Sequence, residues 1–265
     1  MNLPRTIAIW IIATCILAMI GLAYEPNRGP HMALGTLTIE LSTNPIEMPG
    51  DWDSSQPVDI LITSCGGIGE SSPGAGAGGR GAGGGGFARW NGVTITNPAA
   101  CSVEIIPNDL GVGHTLFSNE TGQVRRVLNG LTGIAGGIGG YEDQSDFAPT
   151  IGNSGGNGAA GLPNGSGGGG GGAAGEAANG GNGTTANGGG AGGAGGGGDA
   201  GAGGNGGTDF GSDGEFYGGG GGGAFGAGGF SADGVVKIIY TIRLDAPLDP
   251  NMRGNLSDMR GGFEN

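Results

Sequence analysis

Glycine at every third position is the feature of this chain that most restricts its fold. The longest uninterrupted series comprises Gly189, Gly192, Gly195, Gly198, Gly201, Gly204 and Gly207. Shorter series begin at Gly152 and at Gly220. Two states accommodate such a sequence. One is a flexible linker, the usual state of glycine-rich, low-complexity segments. The other is a set of extended threefold helices packed backbone to backbone, as in collagen.

The residues that follow the glycine-rich segment favour the ordered state. Gly234 is followed at once by VVKIIYTIRL, which is typical of a β-strand and needs an upstream partner. Residues 150–234 therefore form a closed excursion from a β-domain. Because ordering each residue costs roughly 1–2 kcal/mol of backbone entropy, nearly every amide in the excursion must be hydrogen bonded. We predict a layer of packed polyproline-II-type (polyglycine II) helices here.

Composition and charge exclude several functional classes. With 71 glycines in 265 residues, the apolar core must be small. The net charge is −13 and Lys237 is the only lysine, so nucleic acid is excluded as a partner. No CxxC pair occurs, and no serine or cysteine has a histidine partner in a recognisable motif. We predict no metal, no cofactor and no enzymatic activity.

An apolar segment precedes the body of the chain. Residues 7–24 are uncharged and apolar behind Arg5, which is close to the length that spans a bilayer. A retained transmembrane anchor over residues 1–24 fits this length, and a cleaved signal segment remains the alternative. Either interpretation puts the body outside the cytoplasm, in a virion or cell envelope, or secreted if the segment is cleaved. A linker and a first alternating strand, 36–42, occupy residues 25–56.

Short strands punctuated by turns predict a mainly β fold. Residues 57–149 contain candidate strands and a glycine excursion over residues 66–86, and residues 235–245 form a closing strand. The candidate strands are residues 58–65, residues 93–96 with the preceding segment 87–90, and residues 101–106. Residues 116–117 and 123–128 are weaker candidates. This pattern is typical of a small antiparallel β-sandwich. Cys65 and Cys101 both fall on these strands. They can bridge in an oxidising compartment or remain two small buried thiols.

Five aromatic residues lie in the last third of the long glycine segment: Phe210, Phe216, Tyr217, Phe225 and Phe230. Exposed at loop tips, they are efficient anchors for a receptor or partner. Alternatively, they pack the outer helices onto the sheet. The pair Phe216 and Tyr217 lies between glycine runs and beside acidic residues, so we expect it to be the most exposed. Calcium at Asp209, Asp213 and Glu215 is a weaker hypothesis than solvated loop carboxylates.

The order of blocks resembles glycine-rich domains of bacteriophage virion and tail proteins. The matching blocks are the strand at 58–62, the glycine burst at 74–86, the strands at 87–96 and 102–105, and the closing motif DGVVKIIY at 233–240. The long segment also resembles receptor-binding adhesins at phage fibre tips, where packed glycine helices display variable loops. An N-terminal apolar segment is not part of that pattern. It indicates a membrane-associated relative, such as a protein of a lipid-containing virus or of a bacterial envelope.

The resemblance implies a virion structural or host-recognition protein. It would contact a membrane through residues 7–24 and a host surface glycan or protein through its loops. Its C-terminal arm, residues 246–265, would contact other virion or surface proteins, in a homo-oligomeric or multicopy arrangement. The alternative is a secreted or surface-anchored bacterial glycine-rich protein with a matrix, adhesive or ice-binding-like role.

Overall fold

A computed structural model describes residues 33–72, 74, 76–107, 113–131 and 145–243. The predicted anchor (7–24), most of the linker and the C-terminal arm (246–265) lie outside these ranges. Within the described ranges, no helix has both the length and the apolar character needed to cross a bilayer. All described strands belong to one compact unit that begins at Leu34.

Among the described residues, eight strands form two antiparallel sheets. Their bounds are β1 Leu34–Ile39, β2 Val58–Thr63, β3 Phe87–Val93, β4 Ser102–Ile106, β5 His114–Ser118, β6 Val124–Leu128, β7 Ile151–Asn153 and β8 Val235–Thr241. The larger sheet has the order β1-β8-β2-β3-β7, and the smaller has the order β4-β5-β6. A short 3-10 turn, Pro98–Ala100, precedes β4.

A single apolar core joins the two sheets. Alternate residues of β2, β3 and β8, such as Ile60, Trp90 and Ile238, are almost fully buried and face Phe117 and Val127 of the smaller sheet. Such alternation of buried and exposed positions is what a strand covered on one face produces. The predicted mainly β, sandwich-like fold is confirmed at this level. Strand β7 is short and glycine-containing, and the sequence analysis assigned it to the glycine segment.

Glycine-rich residues form ten hydrogen-bonded segments within the described part of the chain, which we call rods. In chain order they are rod 1 (65–71), rod 2 (78–86), rod 3 (154–162), rod 4 (166–175), rod 5 (179–185), rod 6 (189–197), rod 7 (200–208), rod 8 (211–216), rod 9 (218–225) and rod 10 (227–233). Rods 1 and 2 belong to the first glycine excursion, residues 66–86, whereas the threefold helices were predicted for residues 150–234 alone.

Hydrogen bonds between rods recur at every third residue. In rod 4 the amides of residues 167, 170 and 173 donate to rod 7, those of 168, 171 and 174 to rod 2, and those of 169 and 172 to rod 5. Rod 4 carbonyls accept from rods 3, 6 and 9. Rod 4 therefore has six neighbours. Rod 9 also has six, namely rods 1, 2, 4, 7, 8 and 10.

The pairing pattern arranges the rods in three layers. The first layer consists of rods 3, 2 and 1, the middle layer of rods 5, 4, 9 and 10, and the third layer of rods 6, 7 and 8. Each rod is hydrogen bonded to the adjacent rods of its own layer and of the next layer. Glycine is required because the rods approach so closely. A Cβ on almost any enclosed glycine would lie closer than 3.0 Å to a carbonyl oxygen of the next rod.

The larger sheet continues directly into the rods. Strands β2 and β7 run into rods 1 and 3, and rods 2 and 10 run into β3 and β8. The neighbour order β8-β2-β3-β7 becomes the order of rods 10, 1, 2 and 3, with antiparallel pairing retained. The hydrogen-bonded strands thus set the spacing and direction of rods 10, 1, 2 and 3.

The two described cysteines are free thiols and do not form the disulfide that the sequence left open. Cys65 Sγ accepts a hydrogen bond from the Gly234 amide at 3.0 Å, whereas Cys101 Sγ contacts Glu120 Oε2 at 3.3 Å. Burial raises the pKa of Cys65 to about 11 and the pKa of Cys101 to about 12. Each thiol is therefore protonated at neutral pH.

Both thiols should resist alkylation in the folded protein, because only the thiolate is nucleophilic and both groups are buried. We expect peptide mapping after iodoacetamide treatment at pH 8 to show Cys65 and Cys101 unmodified, and both fully modified after unfolding in guanidinium chloride. Mapping by peptide separates them from Cys15. A peptide pair joined through Cys65 and Cys101 in non-reduced material would contradict the structure.

Candidate functional site

The rod bundle has two different ends. At the end next to the sheet, three turns connect rods 4 and 5, rods 6 and 7, and rods 8 and 9. At the opposite end, which we call the tip, five loops connect rods 1 and 2, rods 3 and 4, rods 5 and 6, rods 7 and 8, and rods 9 and 10, whereas rods 2 and 3 are joined through the sheets. These loops are residues 72–77 (of which 72, 74, 76 and 77 are described), 163–165, 186–188, 209–210 and 226.

Side chains fix the three sheet-side turns to the larger sheet. Glu176 pairs with Arg89 of β3, and Asp199 pairs with Lys237 of β8. Tyr217 donates its hydroxyl to Glu40, and this hydrogen bond raises the pKa of Tyr217. Each turn therefore has a polar link to the sheet, which holds this end of the bundle in place. The charged partners are far apart in sequence, so the sequence analysis did not connect them.

The tip loops contact one another and form one continuous surface. The Ser72 amide donates to the Phe225 carbonyl at 3.3 Å, and the Phe225 amide donates to the Thr208 carbonyl at 3.1 Å. Asn164 donates its side-chain amide to Asn187 at 2.9 Å. These contacts connect loops from all three layers. The tip is thus a composite of segments that are distant in sequence.

Two phenylalanines project from the tip. Phe210 is 77 % exposed and Phe225 is 47 % exposed. Phe210 lies in the loop 209–210, and Phe225 is the last residue of rod 9. The two ends are adjacent, since Phe210 forms a bridge with Ala227 and the amide of Gly226 donates to the Asp209 carbonyl. Exposed amide and carboxylate groups of Asn164, Asn187 and Asp209 share this end of the bundle.

The other three aromatic candidates lie elsewhere. Phe216 is 70 % exposed but sits at the sheet-side end, edge-to-face with Tyr217. Tyr217 is only partly exposed and packs near Lys237, with the Lys237 Nζ 6.0 Å from the ring centre. Phe230 is 70 % exposed on the side of rod 10. The structure therefore separates the five residues into three places, and the pair expected to be most exposed is not at the tip.

Acidic residues of the glycine segment do not converge. Asp209 lies at the tip, whereas Glu215 lies near the other end of rod 8, and Asp213 accepts a hydrogen bond from the Phe230 amide at 2.8 Å. Among the described residues, no group of three or more His, Cys, Asp or Glu side chains could hold a metal ion. The three carboxylates of the calcium hypothesis are not brought together.

Asparagine side chains have a role in the lattice that the sequence analysis missed. Some amides of the outer rods bond to an asparagine side-chain carbonyl of the adjacent rod instead of to a backbone carbonyl. Asn179 accepts from Ser154, Asn182 from Asn157, and Asn205 from Gly192, each at 2.8 Å. The three-residue spacing of Asn179 and Asn182 along one rod was a visible signal. These side chains complete the hydrogen bonding at the surface of the bundle.

Comparisons with known proteins leave the family open. No protein-family model matches the chain, and no significant similarity to a curated protein was found.

Proposed function

We propose that this chain is a bacteriophage virion protein that holds a rigid glycine-rich domain outside a membrane or capsid and recognises the host surface with its tip. We further propose that the rods are polyglycine II helices. The hydrogen-bond period of three residues supports that finer description, because polyproline-II-type helices have three residues per turn.

The main support for this proposal is that the chain ends and the tip loops lie at opposite ends of the domain. Leu34, at the start of β1, pairs with Thr241, at the end of β8, so both ends of the described fold lie at the same end of the strands, away from the rods. The tip loops lie at the opposite pole, beyond the rods. A rod of eight residues is about 25 Å long at ~3.1 Å per residue. Attachment at one pole and exposed loops at the other is the arrangement that a display protein needs.

Rigidity at the tip favours recognition by loops. Each loop is anchored by a rod at both ends, and the central rods have hydrogen-bonded neighbours on all sides. Loops held in this way lose little conformational entropy on binding, which improves affinity without new contacts. Several copies in one particle would add avidity.

The chemistry of the tip suits a carbohydrate. Exposed aromatic rings pack against the apolar C–H faces of sugars, and neighbouring amide and carboxylate groups bind hydroxyls. Phe210 and Phe225 supply the rings, and Asn164, Asn187 and Asp209 supply polar groups. We therefore propose a polysaccharide of the host surface as the ligand class.

A tip variant tests this function directly. Replacing Phe210 and Phe225 together by serine should weaken binding to an array of purified bacterial lipopolysaccharides and capsular polysaccharides by at least about 30-fold, because the loss of even one aromatic anchor of about 2 kcal/mol has that effect. The matched control is Phe216→Ser, which removes an equally exposed ring at the opposite end of the bundle. Equal losses in both proteins, or no binding by the wild type, would contradict recognition by the tip.

The second candidate, a matrix or ice-binding-like surface protein, has one observation in its favour. Rods 5 and 6 expose small or polar side chains at regular three-residue spacing, namely Asn179, Asn182 and Thr185, and Ala191 and Ala194. A regular face of this kind suits a repetitive solid surface. Thermal hysteresis of the wild-type protein that is abolished by Ala191→Lys and Ala194→Lys would support this candidate.

Antibody labelling of intact material separates the two roles. The virion proposal predicts gold label on the outside of purified virus particles from the source culture, concentrated away from the particle surface by the length of the domain. Label restricted to cell envelopes or to secreted material in virus-free cultures would favour the second candidate.

A further inference from the structure

Strand β1 leaves an open edge on the larger sheet. It pairs with β8 on one side from Leu34 to Ile39, and no described strand pairs with its other side. Half of its backbone N–H and C=O groups therefore face outward. An unpaired edge of this kind is a template for another extended segment.

A groove of about 610 Å³ runs along this edge and the loop that follows it. Its lining includes the apolar side chains of Leu37, Ile39, Leu41 and Ile46, and the charged lining residues in the described part of the chain are Glu40 and Glu47. Leu41 is 77 % exposed beside it. The groove thus offers apolar contact surrounded by negative charge, and it fits an extended segment that carries apolar and basic side chains.

Two short segments of the C-terminal arm combine an apolar and a basic side chain in this way. Residues 246–265 contain Met252-Arg253-Gly254 and, seven residues later, Met259-Arg260-Gly261. In each repeat a flexible apolar side chain precedes a basic one, and methionine adapts well to irregular apolar gaps. Arginine binds carboxylates with two parallel hydrogen bonds. The arm also contains Asp249, Asp258 and Glu264, so its match to the groove lies in the two Met-Arg pairs and not in its net charge.

We propose that the C-terminal arm of a neighbouring copy binds along β1 as an added strand, with a methionine in the groove and the following arginine at Glu47 or Glu40. The length of the arm permits this exchange. The arm follows β8, and its twenty residues reach up to about 70 Å when extended at ~3.5 Å each. Exchange of arms would link copies of the chain into an assembly.

Pairing direction favours a neighbouring copy over the arm's own fold. Strand β8 ends beside the start of β1. An arm returning within the same copy would have to pass the chain that precedes Leu34 and pair parallel to β1. An arm from another copy is free to pair antiparallel, which is slightly more stable per residue and needs no crossover.

A charge exchange tests the proposal in the full-length chain. In sedimentation velocity, in mild detergent, the wild type should self-associate. Glu47→Lys should weaken association at least about tenfold, as should Arg253→Glu combined with Arg260→Glu. An equimolar mixture of these two mutant proteins should recover part of it, because the lysine groove of one accepts the acidic arm of the other. Unchanged association in both variants, or a monomeric wild type, would overturn the proposal.

Engineered cysteines identify which copy provides the arm. Leu41→Cys and Met259→Cys are introduced together in a Cys15→Ser background, since Cys65 and Cys101 are buried. Oxidation should give disulfide-linked multimers on a non-reducing gel. A monomer bridged within itself would show that the arm binds its own fold, and the absence of any bridge would show that the groove does not take this arm. Either result overturns exchange between copies.

Discussion

Gly170→Ala should destabilise the protein by at least about 3 kcal/mol, because the new methyl group has no space. Gly170 lies in the middle of rod 4, where a Cβ would be closer than 3.0 Å to the backbone carbonyl of Gly220. Its amide donates to Gly204 at 2.8 Å, and its carbonyl accepts from Gly193 at 2.9 Å. Moving either neighbour breaks bonds in further rods, so the lattice cannot relax around the methyl group.

The free energy of unfolding in guanidinium chloride measures this effect. Two controls separate crowding from the intrinsic preferences of alanine and glycine. Ala191→Gly, on the exposed side of rod 6, should change stability by less than about 1 kcal/mol. Gly50→Ala should be nearly neutral, since no atom lies within 4 Å of the added Cβ. If Gly170→Ala were as mild as these two, rod 4 would not be enclosed on all sides.

Asn129→Asp should destabilise the protein by about 3–5 kcal/mol at pH 7, the cost of leaving a buried charge without a partner. Asn129 is 1 % exposed and connects three parts of the fold. Its side-chain oxygen accepts from the Cys65 amide at 3.2 Å, and its side-chain nitrogen donates to the Ile106 carbonyl at 2.6 Å. An ionised carboxylate would place an oxygen against that carbonyl.

The destabilisation caused by Asn129→Asp should depend on pH in a defined direction. Burial and the facing carbonyl raise the folded-state pKa of the new carboxyl above its unfolded value of about 4. The folded state then binds the extra proton, so the variant approaches wild-type stability below about pH 4 and loses stability as the pH rises above it. Denaturation of both proteins between pH 3.5 and 8 measures the difference. A difference that is constant over this range would mean that the carboxylate reaches solvent. Asn129→Leu is the control, because its effect should not vary with pH.

Much of the β-fold could be predicted from local sequence. Alternating apolar residues such as Ile60, Ile62 and Ile238 identified strands that the structure confirms, because a sheet covered on one face imposes a period of two. Strand β7 could not be predicted, since Gly152 interrupts it and its three residues are held by pairing with β3. Pairing partners are a tertiary property.

The candidate site was less accessible to sequence reasoning. Exposed phenylalanines were identified by residue type, but their separation into tip, side and sheet end depends on where each rod turns. Phe210 and Phe216 are six residues apart, yet rod 8 carries the chain between opposite ends of the bundle. The contributions of Asn164 and Asn187 required knowledge that loops 163–165 and 186–188 meet.

Two features follow from the amino-acid sequence alone. Glycine at every third position allows the backbones to approach closely, and the closing strand requires the excursion to return to the sheet. Tertiary structure decided how many rods form, which neighbours each rod has and which loops share the tip. The reason is that glycine amides are chemically identical, so no residue in a rod encodes its partner. The larger sheet determines the partners of rods 10, 1, 2 and 3 by setting their spacing and direction. The remaining rods then pair with the backbone amides and carbonyls that these four rods leave free.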